Sequence, residues 1–266
     1  MRLKDKVAIV TGSSTGIGKA IAVAFAHEGA NVVLAGRSLS KMEEVVNEIK
    51  ASGETAIAIK TDITEEKQIK ELVNQAIARF KQVDILVNNS ASTSDRELSV
   101  AEMDLDMWNM TIRVNLTGTM LCCREVLKSM LPRKSGNIIN ISSIAGTMGH
   151  AKRSAYGSSK WAIIGFTETL SEEVGPDSIR VNCISPAGTL TDRFKEVTEG
   201  RGMTVEERIK QTAFQYSLRR MANTSEVAAA AVFLASDESS AITGQNLLVT
   251  CGFHMPSPGE QASKSA

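Results

Sequence analysis

The chain carries no surplus of charge: thirty Lys and Arg stand against thirty Asp and Glu in 266 residues. That balance removes the electrostatic basis for a polyanion partner or a membrane surface, so neither nucleic acid nor membrane is expected. No apolar run approaches the ~20 residues that a bilayer-spanning helix requires, and no charged-then-apolar leader opens the sequence. Cysteine is scarce. Cys122, Cys123, Cys183 and Cys251 read as free thiols of a reducing compartment, which points to the cytoplasm, and the closing Ser-Lys-Ser-Ala does not match a peroxisomal address. There is no internal repeat, no low-complexity tract and no linker before Pro256. The polar stretch 256–266, with two prolines, is expected to fray or to lie on a neighbouring subunit. Residues 1–255 then read as one domain, long for the average but within the range of large α/β sheets.

What is present is alternation. Val7 to Thr11, Asn31 to Ala35, Ala56 to Thr61, Ile85 to Asn88, Asn137 to Ser142, Arg180 to Ser185 and Asn246 to Thr250 are short β-branched runs. They are continuously apolar, as strands covered on both faces are. Between them lie helical patterns: Ile17, Ala20, Ile21, Ala24 and Phe25 share one stripe that stops at Gly29, and 41–51, 65–80, 104–131, 158–174 and 224–235 behave alike. Strict alternation predicts a single-domain, doubly wound α/β fold with a seven-stranded parallel sheet. The Met and aromatic residues at 103–110 are expected to pack into the core along one long helix.

Two features carry chemistry. Thr11-Gly12-Ser13-Ser14-Thr15-Gly16-Ile17-Gly18 follows the first strand and opens the first helix. Glycines there let the backbone turn tightly and approach a pyrophosphate at a helix N-terminus, so Gly12, Ser14, Gly16, Ile17 and Gly18 are assigned to a dinucleotide. Tyr156 and Lys160 are spaced i, i+4, one turn apart on one face of a helix. A free phenol titrates near pH ~10. A cation about 5 Å away at an effective dielectric of about 20 favours the phenolate by roughly 3 kcal/mol, about two pKa units, which makes Tyr156 able to exchange a proton with a substrate oxygen near neutral pH.

The end of the second strand decides the cofactor. An acidic residue about twenty residues beyond a glycine loop holds the ribose 2′-hydroxyl of NAD and repels a 2′-phosphate. Here that position is Gly36, followed by Arg37 and Ser38. A guanidinium takes a phosphate bidentately, and Ser38 adds a hydroxyl donor, so NADP(H) is preferred with NAD(H) still possible. No metal is expected.

With these residues in place, the chain resembles the short-chain dehydrogenase/reductase family along almost its whole length, and within it the 3-oxoacyl-carrier-protein reductase-like members. The segments that carry the resemblance are the glycine loop, Thr61-Asp62-Ile63, Asn88-Asn89-Ser90-Ala91, Val114-Asn115, Ile141-Ser142-Ser143, Tyr156 to Lys160 and Asn182-Cys183-Ile184-Ser185-Pro186. The resemblance implies a Rossmann fold and a tetrad: Tyr156 as acid/base, Lys160 as its pKa tuner and nicotinamide-ribose ligand, Ser143 as donor to the substrate oxygen, and Asn115 as anchor of a water chain reaching Lys160. It places Asp62 and Ile63 at the adenine, Asn89 along the ribose side, and Ala91, Pro186, Thr189 and Thr191 near the nicotinamide.

The sequence departs from the family at Ala91 and Ala187, where glycine is usual, and a methyl at a close-approach glycine clashes or demands an unfavourable φ. A retuned pocket is therefore expected. Residues 189–216 form the expected substrate lid of one or two helices, and His150, Lys152 and Arg153 are candidate pocket edges. The implied activity is interconversion of a small secondary alcohol and a ketone by nicotinamide hydride transfer, in a homotetramer that pairs 104–131 and 158–174 and brings Cys122-Cys123 near an interface. A 3-oxoacyl thioester is the alternative substrate, and a non-catalytic cofactor-binding protein the alternative of another class. Carrier-protein reductases offer basic residues to an acidic helix. Asp177 stands at one such place while Arg133 and Lys134 keep another, so acyl carrier protein is not expected as the partner.

Overall fold

The structure is a computed structural model, and it describes residues 1–92 and 98–254. The polar stretch 256–266 lies outside the described residues. In chain order the elements are β1 (Val7–Thr11), α1 (Gly16–His27), β2 (Asn31–Gly36), α2 (Leu39–Ala51), β3 (Ala56–Lys60), α3 (Glu66–Phe80) and β4 (Ile85–Asn88). The second half continues with α4 (Leu105–Ile112), α5 (Gly118–Arg133), β5 (Gly136–Ile141), α6 (Ser154–Val174), β6 (Ile179–Pro186), β7 (Thr189–Leu190), α7 (Asp192–Glu199), α8 (Val205–Thr212), β8 (Ala222–Asn223), α9 (Thr224–Ala235) and β9 (Asn246–Val249).

Seven strands form one parallel sheet in the order β3-β2-β1-β4-β5-β6-β9. Successive residues of an inner strand feed opposite faces, which is why those runs are apolar throughout, whereas the edge strand β9 leaves Leu247 and Leu248 36 % and 50 % exposed. Ala8 and Val10 pack under α1, α2 and α9 with Ile21, Phe25, Met42 and Ala231. Ile9 packs on the other side with Leu72, Val126 and Met130 of α3 and α5. The chain reverses direction across the sheet between β1 and β4, and open α/β sheets bind ligands at the carboxyl ends of strands at such a switch point. The glycine loop leaves β1 there, and Asn89 leaves β4.

Two expectations need correction. The single helix 104–131 is broken: Arg113–Thr117 is a π-helical turn between α4 and α5. The residues at 103–110 are not core, since Leu105 and Met110 are 68 % and 51 % exposed and only Thr111 of α4 is buried. Cys122 and Cys123 are both fully inside. They share the inward stripe of α5 with Val126 and Met130, so they face the sheet. The lid region does hold two helices, α7 and α8, and its ends are joined by a short parallel ladder of β7 on β8.

Candidate active site

Close packing of backbone builds the loop after β1. Gly12 sits at φ +65°, and a Cβ there would stand 2.9 Å from Ser90 Cα. A Cβ on Gly18 would overlap the Gly12 carbonyl oxygen and Asn89 Nδ2. Asn89 ties the loop down by donating to the carbonyls of Thr11 at 3.1 Å and Gly12 at 3.0 Å, while Thr11 Oγ1 accepts from the N–H groups of Asn89 and Ser90. The helix that follows has no side-chain N-cap bond and no acid in its first turn, leaving its first N–H groups for an external acceptor. Ser13 Oγ is buried in the loop with no hydrogen-bond partner. An orphan hydroxyl beside uncapped N–H groups fits the pyrophosphate of a dinucleotide. Ser14 was the residue singled out from the sequence, whereas Ser13 is visible only once burial is known.

At the far end of that site Arg37 is exposed, and its charge reaches Asp62. Burial pushes the Asp62 carboxyl up, but the Thr64 N–H and hydroxyl at 2.9 and 2.8 Å, with Arg37 and Arg113, outweigh it and hold the group below its ordinary value. Ser38 caps α2 without a side-chain bond to the helix. Ile63, next to Asp62, is packed against Gly118. The adenine-side candidates are therefore neighbours around the ends of β2 and β3.

The reacting end is a cleft of roughly 390 Å³. Ser143, Tyr156 and Lys160 line it with Ile17, Asn89 and Ala91, and Pro186, Thr189 and Thr191 close another side. Tyr156 lies in the first turn of α6, which begins four residues earlier than the pattern suggests. Burial pushes its phenol up, the Ser143 hydroxyl and the Arg153 charge oppose this, and the net effect is a raised value. Lys160 is buried as well, and burial draws its ammonium down to about 8 against the pull of Cys183. Its Nζ stands 5.7 Å from the Tyr156 ring centroid and donates to the Ile141 carbonyl at 2.8 Å. The Arg153 charge lowers the phenol in this arrangement, and Lys160, which gives one N–H to the carbonyl at the end of β5, keeps its positive charge whenever it is protonated.

Asn115 occupies the π-helical turn and is 1 % exposed. Its side chain accepts from Ser92 N and donates to Ser92 O, and Nδ2 also donates to Ser159 Oγ at 2.9 Å. Ser159 in turn donates to the Tyr156 carbonyl at 2.7 Å. The link from Asn115 to the tyrosine turn therefore runs through Ser159, which the sequence reading missed. Ala91 and Ala187 both keep negative φ, so neither replacement strains the backbone. The close approach is made one residue later, where a Cβ on Gly188 would meet Tyr216 Oη at 2.6 Å. Of the candidate edges, Arg153 lines the cleft and His150 and Lys152 do not; Arg193, from the first turn of α7, does.

The sequence model of the short chain dehydrogenases matches residues 6–202. The chain is 36 % identical over 253 residues to the 3-oxoacyl-[acyl-carrier-protein] reductase FabG of Staphylococcus epidermidis, covering 94 % of this chain and 100 % of that one. It is 38 % identical over 255 residues to the 3-oxoacyl-[acyl-carrier-protein] reductase of a Synechocystis species, covering 95 % and 98 %. Among solved structures, an actinorhodin polyketide ketoreductase variant with NADPH superposes at a TM-score of 0.87 with 31 % identity over 93 % of this chain and 96 % of that one. A putative gluconate dehydrogenase of Agrobacterium tumefaciens gives the same TM-score at 30 % identity, over 94 % and 96 %.

Proposed function

The chain belongs to the short chain dehydrogenase family of nicotinamide-dependent oxidoreductases acting on CH–OH and carbonyl groups, and on that premise we propose that it is an NADP(H)-linked ketoreductase. The observation that carries this reading is the buried Tyr156 hydroxyl, held protonated beside Ser143 in the same cleft as Lys160 and Asn89. A phenol that keeps its proton at neutral pH is poised as the acid of carbonyl reduction.

Ser143 and Tyr156 bind the substrate oxygen between their hydroxyls, and Tyr156 passes its proton to that oxygen as the carbon is reduced. The bound nicotinamide supplies the hydride. Lys160, lining the same cleft, is the residue proposed for the nicotinamide ribose, and the uncapped start of α1 with Ser13 is proposed for the diphosphate. Arg37 and Ser38 support a 2′-phosphate, since no acid stands at Gly36 to repel one.

For the substrate, a 3-oxoacyl thioester has the most direct support, because two relatives covering nearly the whole chain carry that reaction in their names. A free ketone or alcohol is the second reading, and a specific observation favours it. Lys134 lies 3.9 Å from Asp177, and Arg133 is engaged by Asp84 and the Val83 carbonyl, so the basic spot available to an acidic carrier is largely neutralised. No helix among the described residues is long and apolar enough to cross a membrane. Leu105, Met110, Leu131 and Trp161, exposed on α4, α5 and α6, support a homo-oligomer built on those helices.

The test is oxidation of NADPH and NADH by the purified protein over three panels: carrier-linked 3-oxoacyl thioesters, short 3-oxoacyl thioesters without carrier, and small ketones, with alcohols and NADP in reverse. Turnover in any panel with NADPH preferred is the expected result. No turnover in all of them overturns the reading.

A further inference from the structure

We propose that Tyr216 is a positioning residue of the active site, acting through Gly188 to hold the turn 186–189 in the shape that receives the nicotinamide end of the cofactor. The inference takes its cofactor from the ketoreductase reading and adds a residue which that reading does not use.

Pro186, Ala187 and Thr189 line the cleft together with Ser143, Tyr156 and Lys160. A hydride donor has to stand beside the proton donor, so this turn is a wall of the place where the nicotinamide belongs. Its neighbours in the chain are tied down. Pro186 is in register with Val249 of β9, the Ala187 N–H donates to the Val249 carbonyl at 3.4 Å, and Thr189 pairs with Ala222 while its hydroxyl donates to the Ala187 carbonyl at 3.1 Å. Gly188 is met by side chains instead. A Cβ there would stand 2.6 Å from Tyr216 Oη and 2.5 Å from Met221 Cε, so only a glycine lets the turn lie this close to the ring. Burial pushes the Tyr216 phenol up, the Gly188 N–H opposes this as a donor to the hydroxyl, and the net effect is a raised value.

Tyr216 is itself immobilised. It is 3 % exposed and follows α8 by a single 3-10 turn, Ala213–Gln215. Its ring meets Phe253 edge-on with centroids 5.1 Å apart, and the two backbones form an antiparallel bridge. The Ser217 and Leu218 N–H groups extend that bridge, donating to the Gly252 and Cys251 carbonyls at 3.1 Å each. A turn buttressed in this way is already in its binding shape, and no ordering cost falls on the ligand. Without the hydroxyl the Gly188 N–H has to find another partner, and the turn gains freedom that binding must then remove. That cost falls on the nicotinamide half of the dinucleotide. The adenosine half, whose candidate residues stand around the ends of β2 and β3, is spared. A residue serving the fold alone would weaken both halves alike, or neither.

The full chain, Tyr216→Phe, Gly188→Ala and the double variant are titrated calorimetrically with whichever of NADPH and NADH binds tighter, and with the same dinucleotide lacking its nicotinamide ring. Tyr216→Phe should raise Kd for the complete dinucleotide about ten-fold, the range of one N–H left without its acceptor, and leave Kd for the ring-less fragment unchanged. Gly188→Ala, which drives a methyl at the same hydroxyl, should show the same split. The double variant should bind no worse than the weaker single, because both changes act through one contact. Tyr216→Phe decides alone if Gly188→Ala does not fold. Equal losses on the two ligands, no loss on the dinucleotide, or additive losses in the double variant overturn the proposal. A chain that binds the dinucleotide but reduces no ketone removes the ketoreductase reading and leaves this comparison in force; one that binds neither ligand removes the cofactor on which both rest.

Discussion

Asn115 and Ser92 are joined by two hydrogen bonds, Ser92 N to Asn115 Oδ1 at 2.7 Å and Asn115 Nδ2 to Ser92 O at 3.0 Å, so a side chain inside a π-helical turn grips the backbone that leaves β4 as a neighbouring strand would. The same amide reaches Ser159 and through it the tyrosine turn. Replacing Asn115 by Ala strands buried donors and acceptors at both ends, each costing about 1–3 kcal/mol. We expect Asn115→Ala to lower Tm by several degrees and to raise KM for the cofactor, since Ala91 is displaced with Ser92. Unchanged Tm and cofactor KM would show that the clamp has no mechanical role.

Tyr156→Phe removes one hydroxyl and no packing. Turnover should fall by several orders of magnitude while cofactor binding, measured by fluorescence titration, stays near wild type. A variant keeping more than about a tenth of kcat would mean that another group moves the proton.

Arg37 stands exposed at the end of β2 with Gly36 before it. Wild type should prefer NADPH over NADH in kcat/KM, moderately, because one exposed charge pair contributes only about 1 kcal/mol while a well-formed charged hydrogen bond reaches about 3. The double substitution Gly36→Asp with Arg37→Ala should invert the preference. Wild-type preference for NADH would remove the assignment.

Three thiols are buried, and burial raises them all: Cys183 to about 11, Cys123 to about 12 and Cys122 further still, from an ordinary value of 9.0. Above pH 9 the unfolded chain releases these protons while the fold retains them, so stability must fall as pH rises. Lys160 works in the other direction, being neutral in the fold above about 8 and still charged when unfolded up to 10.5. The net difference is about two protons, or roughly 3 kcal/mol lost per pH unit between pH 9 and 10.5. Denaturant midpoints measured across that window should drop steeply, and Cys122→Ala or Cys123→Ala, though less stable at pH 7, should flatten the slope. A midpoint that does not move with pH would contradict the burial of these thiols.

Leu105, Met110, Leu131 and Trp161 leave apolar area in water on α4, α5 and α6. Light scattering at micromolar concentration should find a mass several times the 28.6 kDa of one chain. A monomer would leave that surface without the partner proposed for it.

The strands were legible because their signal is local: a run such as Val7 to Thr11 is apolar at every position only if both faces are covered, and both are. The glycine loop and the Tyr156/Lys160 spacing were legible for the same reason. What escaped was set by distant contacts. Nothing within 104–131 announces a π-helical turn, because its amide partners, Ser92 and Ser159, lie far off in sequence. The two-residue strands β7 and β8 are too short to show a period. The inward stripe Cys122, Val126, Met130 was readable at helical spacing, although the cysteines were read only as lying near an interface. The bond from Lys160 to the Ile141 carbonyl and the Arg153 charge on the phenol escaped as well, because neither is set by the i, i+4 spacing.

The ladder of β7 on β8, Thr189 against Ala222 and Leu190 against Asn223, brings the two ends of the α7–α8 segment side by side. That makes the helical part a cassette: beyond the ladder, residues 215–218 are held against 251–254 by backbone bonds, so the length and composition of the excursion between these ties can change without moving any strand. The entropic cost of a longer excursion grows only slowly with length once the ends are joined. A graft of residues 192–214 from a relative would therefore exchange Arg193 and its neighbours as a unit while Ser143, Tyr156 and Lys160 remain in place, leaving the groups that meet the reacting oxygen independent of the wall that α7 adds to the cleft.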